Sequence, residues 1–238
     1  MSVRIKYANS SEIGAYARLT NTYCILPNCE NTEYLARFKE MVDVPIIQTS
    51  IAGTDLVGRL TVGNSKGLIV PSTTTEYEYD KLLEELPDGV GLTMIPEKFS
   101  ALGNVIACND SFALVHPEID KETIKAIKET LKVEVFPMTI AGESLVGTYA
   151  VFNNRGGVIS SKAQFEEIST ISHKLGIDLV SSTINGGSDL VNAGIAVNDR
   201  CMFYGSDTTA METSTLTRVF KLDDLTLNEV DIDSLQFY

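Results

Sequence analysis

The stretch SIAGTDLVGRLTVGNSKGLIVP, residues 50–71, decides the fold because its pattern returns along the chain. Five asparagines each end one apolar run and open another: Asn21, Asn64, Asn109, Asn153 and Asn198, spaced 43, 45, 44 and 45 residues apart. A second marker repeats with the first: a glycine stands 11 residues before the asparagine in three repeats, at Gly53, Gly142 and Gly187. Two markers that share one offset in three places indicate an internal repeat of about 44 residues.

Each repeat is predicted to contain three short strands and one helix. VPIIQTSI, DLVGRLTV and GLIVP supply the strands of one repeat, and Asn-Ser, Asn-Asp or Asn-Asn between apolar runs indicates a hairpin turn. After the third strand the apolar residues take a helical period. Asp120 can cap a helix in which Ile124, Ile127 and Leu131 share one face. Such a helix must bury that face on strands of its own or a neighbouring repeat.

Five such repeats favour a closed ring. One unit of this size cannot bury its apolar face, and an open solenoid needs polar capping repeats at its ends. The first and last repeats keep the pattern of the middle ones, which favours closure as in propellers. The ring is predicted to span residues 1–220, with repeats near 1–43, 44–88, 89–132, 133–176 and 177–220. Residues 221–238, with five acidic residues and one lysine, are predicted to form a mobile acidic tail, either regulatory or without a role.

Composition restricts the class of protein. The 238 residues, 44% of them hydrophobic, can bury a sizeable core. No apolar run reaches the roughly 18 residues that span a bilayer, and the start lacks a signal-peptide core, so we expect a soluble, non-secreted protein. The net charge of −13 disfavours binding to free nucleic acid and fits either a basic protein partner or solubility alone. Four cysteines without a CxxC pair and two histidines disfavour a zinc site and a disulfide framework.

Several strings of the repeat also carry a family resemblance. LTNTYC (19–24), SALGN (100–104) and ALVHP (113–117) resemble the translation initiation factor 6 family of eukaryotes and archaea, more closely its eukaryotic branch. The resemblance runs from about residue 3 to 221. It implies the pentein fold, an α+β, five-fold pseudo-symmetric α/β propeller whose repeats have three strands and one helix each. Residues 27–30, 93–96 and Gly186 depart from the eukaryotic pattern without touching the fold.

The same resemblance implies a function and partners. Family members are not enzymes and bind the intersubunit face of the large ribosomal subunit, chiefly through the universal large-subunit protein fourteen beside the sarcin-ricin loop of the rRNA. The small subunit is thereby excluded. Eukaryotic members also accompany the pre-large subunit out of the nucleolus and are released by a GTPase and its cofactor. The expected location is the cytoplasm and the nucleus or nucleolus for a eukaryotic source and the cytoplasm for an archaeal one, and the expected state is a monomer.

The turns supply the first candidate ribosome-binding residues. Two residues after the asparagine stand Lys66, Arg155 and Arg200, but Tyr23 and Ser111 in the other repeats. Equivalent turns of a ring emerge on one rim, so these cations would place positive charge where a phosphate backbone could be met. A solvated turn cation is the alternative. The turn asparagines themselves either only make the hairpin or also contact the ribosome: Asn64, Asn109, Asn153 and Asn198.

Two further candidates follow glycines within apolar runs. Arg59 follows the glycine of LVG, and Asn104 follows the glycine of ALG. A polar residue among strand neighbours is either an edge position or a contact, and the resemblance favours contact for both.

A pentein-type guanidino-modifying enzyme is the competing function. The resemblance raises this alternative because other penteins are guanidino-modifying enzymes, which use a cysteine nucleophile, a histidine base and acidic residues that bind the guanidinium group. Cys201, however, stands three residues after its asparagine, where the other repeats hold Cys24, Gly67, Phe112 and Gly156, and this mixture indicates a packing slot. His116 and His173 are interpreted as structural. Because GxxxxGK[ST], GxSxG and HExxH are missing, no catalytic, cofactor or metal site is predicted. A generic repeat scaffold for another partner is the remaining alternative.

Overall fold

Five small mixed sheets make up the molecule. The computed structural model describes residues 1–28, 32–96 and 98–222, and within them fifteen strands form five three-stranded sheets. The strands are β1 (Ser2–Ile5), β2 (Arg18–Leu19), β3 (Cys24–Leu26), β4 (Ile46–Gln48), β5 (Val62–Asn64), β6 (Gly67–Pro71), β7 (Gly91–Ile95), β8 (Ile106–Cys108), β9 (Phe112–Val115), β10 (Glu134–Pro137), β11 (Ala150–Phe152), β12 (Gly156–Ser160), β13 (Asp178–Ser182), β14 (Ile195–Val197) and β15 (Met202–Gly205).

Each sheet is shared between consecutive repeats. In the sheet β2-β3-β4, the first two strands form an antiparallel hairpin, and β4 of the next repeat lies parallel to β3. The orders β5-β6-β7, β10-β9-β8 and β11-β12-β13 repeat this plan. The last sheet is completed by the first strand of the chain, because β1 lies parallel to β15 with Ser2 opposite Met202. The ring therefore closes, and the five-fold pseudo-symmetric α/β propeller is confirmed. Because each sheet takes strands from two repeats, the sheets do not mark the repeat limits, and the predicted limits stay a prediction.

Long helices follow the central strands, as the apolar period predicts: α2 (Thr32–Met41), α4 (Glu76–Glu85), α6 (Lys121–Leu131), α8 (Phe165–Leu175) and α9 (Ala210–Val219). Asp120 caps α6, accepting hydrogen bonds from the N–H groups of Glu122 and Thr123, which confirms the predicted cap. Ile127 and Leu131 are buried. None of the helices in the described ranges is long and apolar enough to cross a bilayer.

A second, short helix precedes the turn in four repeats: α1 (Ile13–Tyr16), α3 (Val57–Leu60), α5 (Leu102–Val105) and α7 (Val146–Tyr149). The prediction that DLVGRLTV, residues 55–62, is a strand is therefore wrong over most of its length, because only Val62 belongs to β5. The reason is close packing at the centre of the ring, because a Cβ on Gly58 would lie 2.1 Å from the carbonyl oxygen of Gly14. Such an approach of two backbones is open only to glycine.

The apolar core is divided among the repeats. Buried residues of the described ranges form five clusters, and each draws on two neighbouring sheets and one long helix. One cluster joins both ends of the chain, since Ile5 packs with Phe38 and Phe203, and the last two rings stack 3.8 Å apart. Leu222, two residues beyond the predicted boundary at residue 220, is fully buried. The remainder of the predicted acidic tail, residues 223–238, and residues 29–30 of the divergent loop lie outside the described residues.

Candidate functional site

The turn asparagines form a belt of hydrogen bonds around the axis of the ring. The side-chain Nδ2 of each donates to a backbone carbonyl of the next repeat: Asn64 to Asn109 at 3.0 Å, Asn109 to Asn153 at 3.1 Å, Asn153 to Asn198 at 3.3 Å and Asn198 to Thr20 at 2.9 Å. All four side chains are at most 6% exposed. Their amides hold the ring together, which favours the structural interpretation, and ribosome contact through them stays a prediction.

In the first repeat, Thr20 takes the position that the turn asparagine holds in the other repeats. The predicted alignment of the first repeat through Asn21 is therefore wrong by one residue. Thr20 Oγ1 accepts hydrogen bonds from the N–H groups of Thr22 at 3.2 Å and Tyr23 at 3.0 Å. Asn64 Oδ1 accepts from the two corresponding groups of its own turn. The residue that corresponds to the rim cations is accordingly Thr22, not Tyr23. The slot of Cys201 is held in this repeat by Tyr23, not by Cys24.

Asn21 instead belongs to an inner polar ring with Ser65, Asp110, Asn154 and Asp199. Asp110 Oδ2 accepts from the Nδ2 groups of Asn154 at 2.6 Å and Asn21 at 3.2 Å, and Asp199 Oδ2 accepts from the same two groups at 2.7 and 2.8 Å. Burial opposes ionisation of Asp110, but the hydrogen bonds from Asn154 and Ser65 outweigh it and lower its pKa. This ring is a satisfied structural network.

The three predicted rim cations are engaged with the next repeat. Lys66 Nζ donates to the carbonyl oxygen of Lys132 at 3.3 Å, directly after α6. Arg155 Nη1 donates to the carbonyl oxygen of Lys221 at 3.1 Å, just after α9. Arg200 pairs with Asp43 through Nη1. A cation at a helix C-terminus is favourable because the last carbonyls carry partial negative charge. These contacts give the three cations a structural role, and their ribosome binding stays a prediction.

The opposite end of the axis carries the short helices and the other two candidates. Arg59 lies on α3, where Nη2 pairs with Glu12 Oε2 at 2.8 Å, and Asn104 lies half-buried on α5. Leu56 and Leu145 stand at equivalent positions just before α3 and α7 and are 36% and 41% exposed. The structure thus places Arg59 and Asn104 on a face that also exposes leucines. We call this surface the short-helix face.

The centre of the ring offers little room for a substrate. Two cavities of about 30 and 40 Å³ lie along the axis, enough for single water molecules and far below the roughly 300 Å³ of a ligand pocket. Arg18, which the sequence did not single out, lines one of them and donates through Nη2 to the carbonyl oxygens of Gly58 and Thr61. Its burial lowers its pKa.

Cys201 and His116, both within the described residues, lie in different parts of the ring. Cys201 is buried in the cluster with Phe38, and burial raises its pKa to about 11. The ring of His116 lies 4.5 Å from that of Phe99 and is tilted against it, and its Nδ1 accepts a hydrogen bond from the N–H of Glu118. A nucleophilic cysteine needs a lowered pKa and a neighbouring base, and Cys201 shows the reverse. In residues 1–28, 32–96 and 98–222, no three His, Cys, Asp or Glu side chains are arranged to hold a metal ion.

Comparisons with known proteins agree on one family. The family model described as "eIF-6 family" matches residues 2–219. Eukaryotic translation initiation factor 6 of Drosophila melanogaster is 46% identical over 94% of this chain and 92% of its own length. The proteins of the same name from Schizosaccharomyces pombe and Tetrahymena thermophila are 44% and 43% identical, over 94% and 97% of this chain and 93% and 95% of theirs.

Two solved structures are also similar, at 14% identity each. One is a dimethylarginine dimethylaminohydrolase, with a TM-score of 0.46 over 71% of this chain and 68% of that one. The other is a cyanobacterial arginine dihydrolase, with a TM-score of 0.47 over 77% of this chain and 29% of that one. The family match over nearly the whole ring is far stronger, and the chain belongs to the eIF-6 family.

Proposed function

We propose that the protein is a translation initiation factor that binds the large ribosomal subunit on its intersubunit face and thereby keeps the small subunit away. Family membership over residues 2–219 supports the role in translation. The closed ring supports the steric mechanism, because a disc held by hydrogen bonds between neighbouring repeats cannot easily deform to admit a second body.

We infer further that the short-helix face is the docking surface. The observation that carries this inference is the contrast between the two ends of the axis. At one end two of the cations already bond to helix C-termini and the third pairs with Asp43, whereas the other end exposes Leu56 and Leu145 together with the partly exposed pair Arg59 and Glu12. Exposed leucines with a few polar groups around them are typical of a protein-binding surface. The universal large-subunit protein fourteen and the sarcin-ricin loop region are the partners that the family resemblance suggests.

Sedimentation with purified subunits tests both statements. The wild-type protein should co-sediment with free large subunits and reduce the fraction of joined ribosomes. Leu56→Asp with Leu145→Asp should weaken large-subunit binding about tenfold or more, since two leucines of an interface core become charged. Tyr77→Asp with Phe165→Asp is the matched control, because both residues are 78% exposed and lie in the first turns of long helices.

Three outcomes would overturn the proposal in different ways. Sedimentation with neither subunit would refute ribosome binding. Binding without loss of joined ribosomes would refute the steric mechanism. Equal weakening by the test and control pairs would refute the short-helix face as the docking surface.

The wider role is proposed on the resemblance alone. Large-subunit maturation and export, release by a GTPase and its cofactor, and a location in nucleolus and cytoplasm all belong to this proposal. Depleting the protein in its own cells should lower the ratio of large to small subunits, and an unchanged ratio would contradict the role in maturation.

A further inference from the structure

In three repeats, a glutamate carboxylate binds the backbone of the first hairpin turn. Glu78, at the start of α4, accepts hydrogen bonds from the N–H groups of Ala52 and Gly53, each at 2.9 Å. Glu212 does the same for Gly186 and Gly187 at 3.1 and 3.0 Å. In the fourth repeat, Glu167 accepts from the N–H of Ala141 at 2.8 Å. Successive N–H groups of a left-handed turn form a natural anion-binding concavity.

The first repeat has the same turn without the carboxylate. Ala8 and Asn9 have φ of 46° and 65°, as Ala52 and Gly53 have 53° and 70°. The residue 25 positions after Asn9, where Glu78 stands relative to Gly53, is Tyr34. Its ring is 2% exposed and packs 5.0 Å from that of Phe38. In the described part of the chain, no acceptor bonds to the N–H of Ala8 or Asn9.

Basic side chains surround this open turn. A groove of about 780 Å³ is lined by Ala8 and Asn9 together with Arg4, Lys6 and Arg37. Among the described residues that line it, Glu33 is the one acidic side chain, so these residues together carry a net charge of +2. Asp207, which lies near Lys6, and Glu40, 3.3 Å from Arg37, stand beside it. The Arg37–Glu40 pair is solvent-exposed and is therefore weak enough to exchange partners.

We propose that this turn and groove form a carboxylate-binding site, and that the acidic C-terminal segment of the same chain, residues 223–238, occupies it. The three equivalent turns select carboxylate as the ligand class. The segment carries five acidic residues and no lysine or arginine. Because it is tethered, its effective concentration at the site is on the order of millimolar.

The segment is long enough to reach the groove. Ser206 lines the groove, and only α9 and a few further residues separate it from Leu222, where the described chain ends. A ten-residue helix is about 15 Å long, whereas sixteen extended residues span about 50 Å.

The backbone amides of Ala8 and Asn9 are the direct readout. In ¹H–¹⁵N NMR spectra of the full chain, both amide protons should shift upfield when the five acids of the segment are neutralised, Asp223→Asn, Asp224→Asn, Glu229→Gln, Asp231→Asn and Asp233→Asn. The chain ended after Leu222 should give the same shift. Adding the peptide 223–238 to that shortened chain should reverse it.

Cation variants make the test specific. Arg4→Gln with Lys6→Gln and Arg37→Gln should weaken peptide binding about tenfold. The control Lys121→Gln with Lys125→Gln and Lys128→Gln removes three exposed charges from α6 and should leave binding unchanged. Unchanged Ala8 and Asn9 resonances on neutralisation of the segment would overturn the proposal. So would the same shift produced by Glu30→Gln alone, because the carboxylate would then come from the residues just before α2.

Discussion

Replacing Glu78 by glutamine tests how much one glutamate contributes by binding a turn. The side chain is 3% exposed, and its two oxygens accept four hydrogen bonds, from the hydroxyl of Ser50 at 2.6 Å and from the N–H groups of Ala52, Gly53 and Thr75 at 2.9 Å. Burial opposes its ionisation, but these hydrogen bonds lower its pKa, so the carboxylate is charged at neutral pH.

The expected loss follows from counting donors. Each oxygen of Glu78 serves two donors, so glutamine keeps two hydrogen bonds and turns its own NH₂ group towards the other two donors. A hydrogen bond to a charged group contributes about 1.5–3 kcal/mol, and a donor left buried without an acceptor adds to the cost. We expect the free energy of unfolding to fall by about 3 kcal/mol. For a domain of this size, the melting temperature should then fall by about 6–12 °C.

Urea and thermal unfolding measure this loss, and the same helix turn provides the control. Glu76 lies in the first turn of α4 and is exposed, so Glu76→Gln should change the free energy of unfolding by less than about 0.5 kcal/mol. If both variants shift the midpoint equally, the carboxylate acts only through the field of the helix N-terminus. The account of specific hydrogen bonds to the turn would then be refuted.

Three further predictions concern acid stability, the centre of the ring and the thiols. Burial opposes the ionisation of Glu212, but hydrogen bonds from Thr209 and neighbouring groups lower its pKa from 4.5 to about 2. Its contribution to the free energy of unfolding is therefore complete above about pH 4.5 and disappears as the pH falls towards 2. Glu212→Gln should therefore destabilise the protein by up to about 3 kcal/mol at pH 7 and much less at pH 2.5 in thermal unfolding, and an equal loss at both would contradict this. Gly58→Ala should lower the free energy of unfolding in urea by about 3 kcal/mol, because the added Cβ meets a backbone oxygen at 2.1 Å. In the control Gly53→Ala the added Cβ has no atom within 4 Å, so the loss should be only the roughly 1 kcal/mol of a left-handed residue. Equal losses for the two variants would contradict the close packing at Gly58. Burial raises the pKa of Cys108 to about 12 and that of Cys201 to about 11, so neither thiol should react with iodoacetamide at pH 8 until urea is added; modification of folded protein, mapped by mass spectrometry, would contradict this.

The repeat was predictable because its signal is periodic, and the error in its first register has a physical cause. Threonine and asparagine both accept hydrogen bonds from the N–H groups two and three residues ahead, so LTNT offers two adjacent candidates. The 43-residue spacing from Asn21 to Asn64 was the one short interval, and Thr20 restores 44. The short helices escaped prediction because four residues show no helical period, and they form where backbones of neighbouring repeats touch.

Other features of the site could not be predicted because they join distant positions. Lys66 and Arg155 each donate a hydrogen bond to a carbonyl group 66 residues ahead, at a helix end of the next repeat. The sequence alone shows only a cation in a turn, which predicts a side chain that faces solvent. The glutamates that bind the turns did leave a trace. Each glutamate follows its turn glycine by a constant interval, as Gly187 to Glu212 shows with 25 residues. That third register would have predicted the contact.

Two departures from five-fold symmetry lie in the first and last repeats, where the two ends of the chain meet. Thr20 replaces an asparagine in the first repeat, and Asn192 stands in the last repeat where the others place the central glycine. Asn192 compensates for its bulk by donating through Nδ2 to the carbonyl oxygen of Gly147 at 2.7 Å.

Hydrogen bonds between residues far apart in sequence hold the junction together. Asn198 donates to Thr20, Asn185 donates to the carbonyl oxygen of Ser11 at 2.8 Å, and Arg4 donates to that of Thr208 at 3.0 Å. A junction between chain ends closes the longest loop in the chain and so has the largest loop-closure entropy to overcome, and directional hydrogen bonds there select one register where apolar packing alone would tolerate a slip.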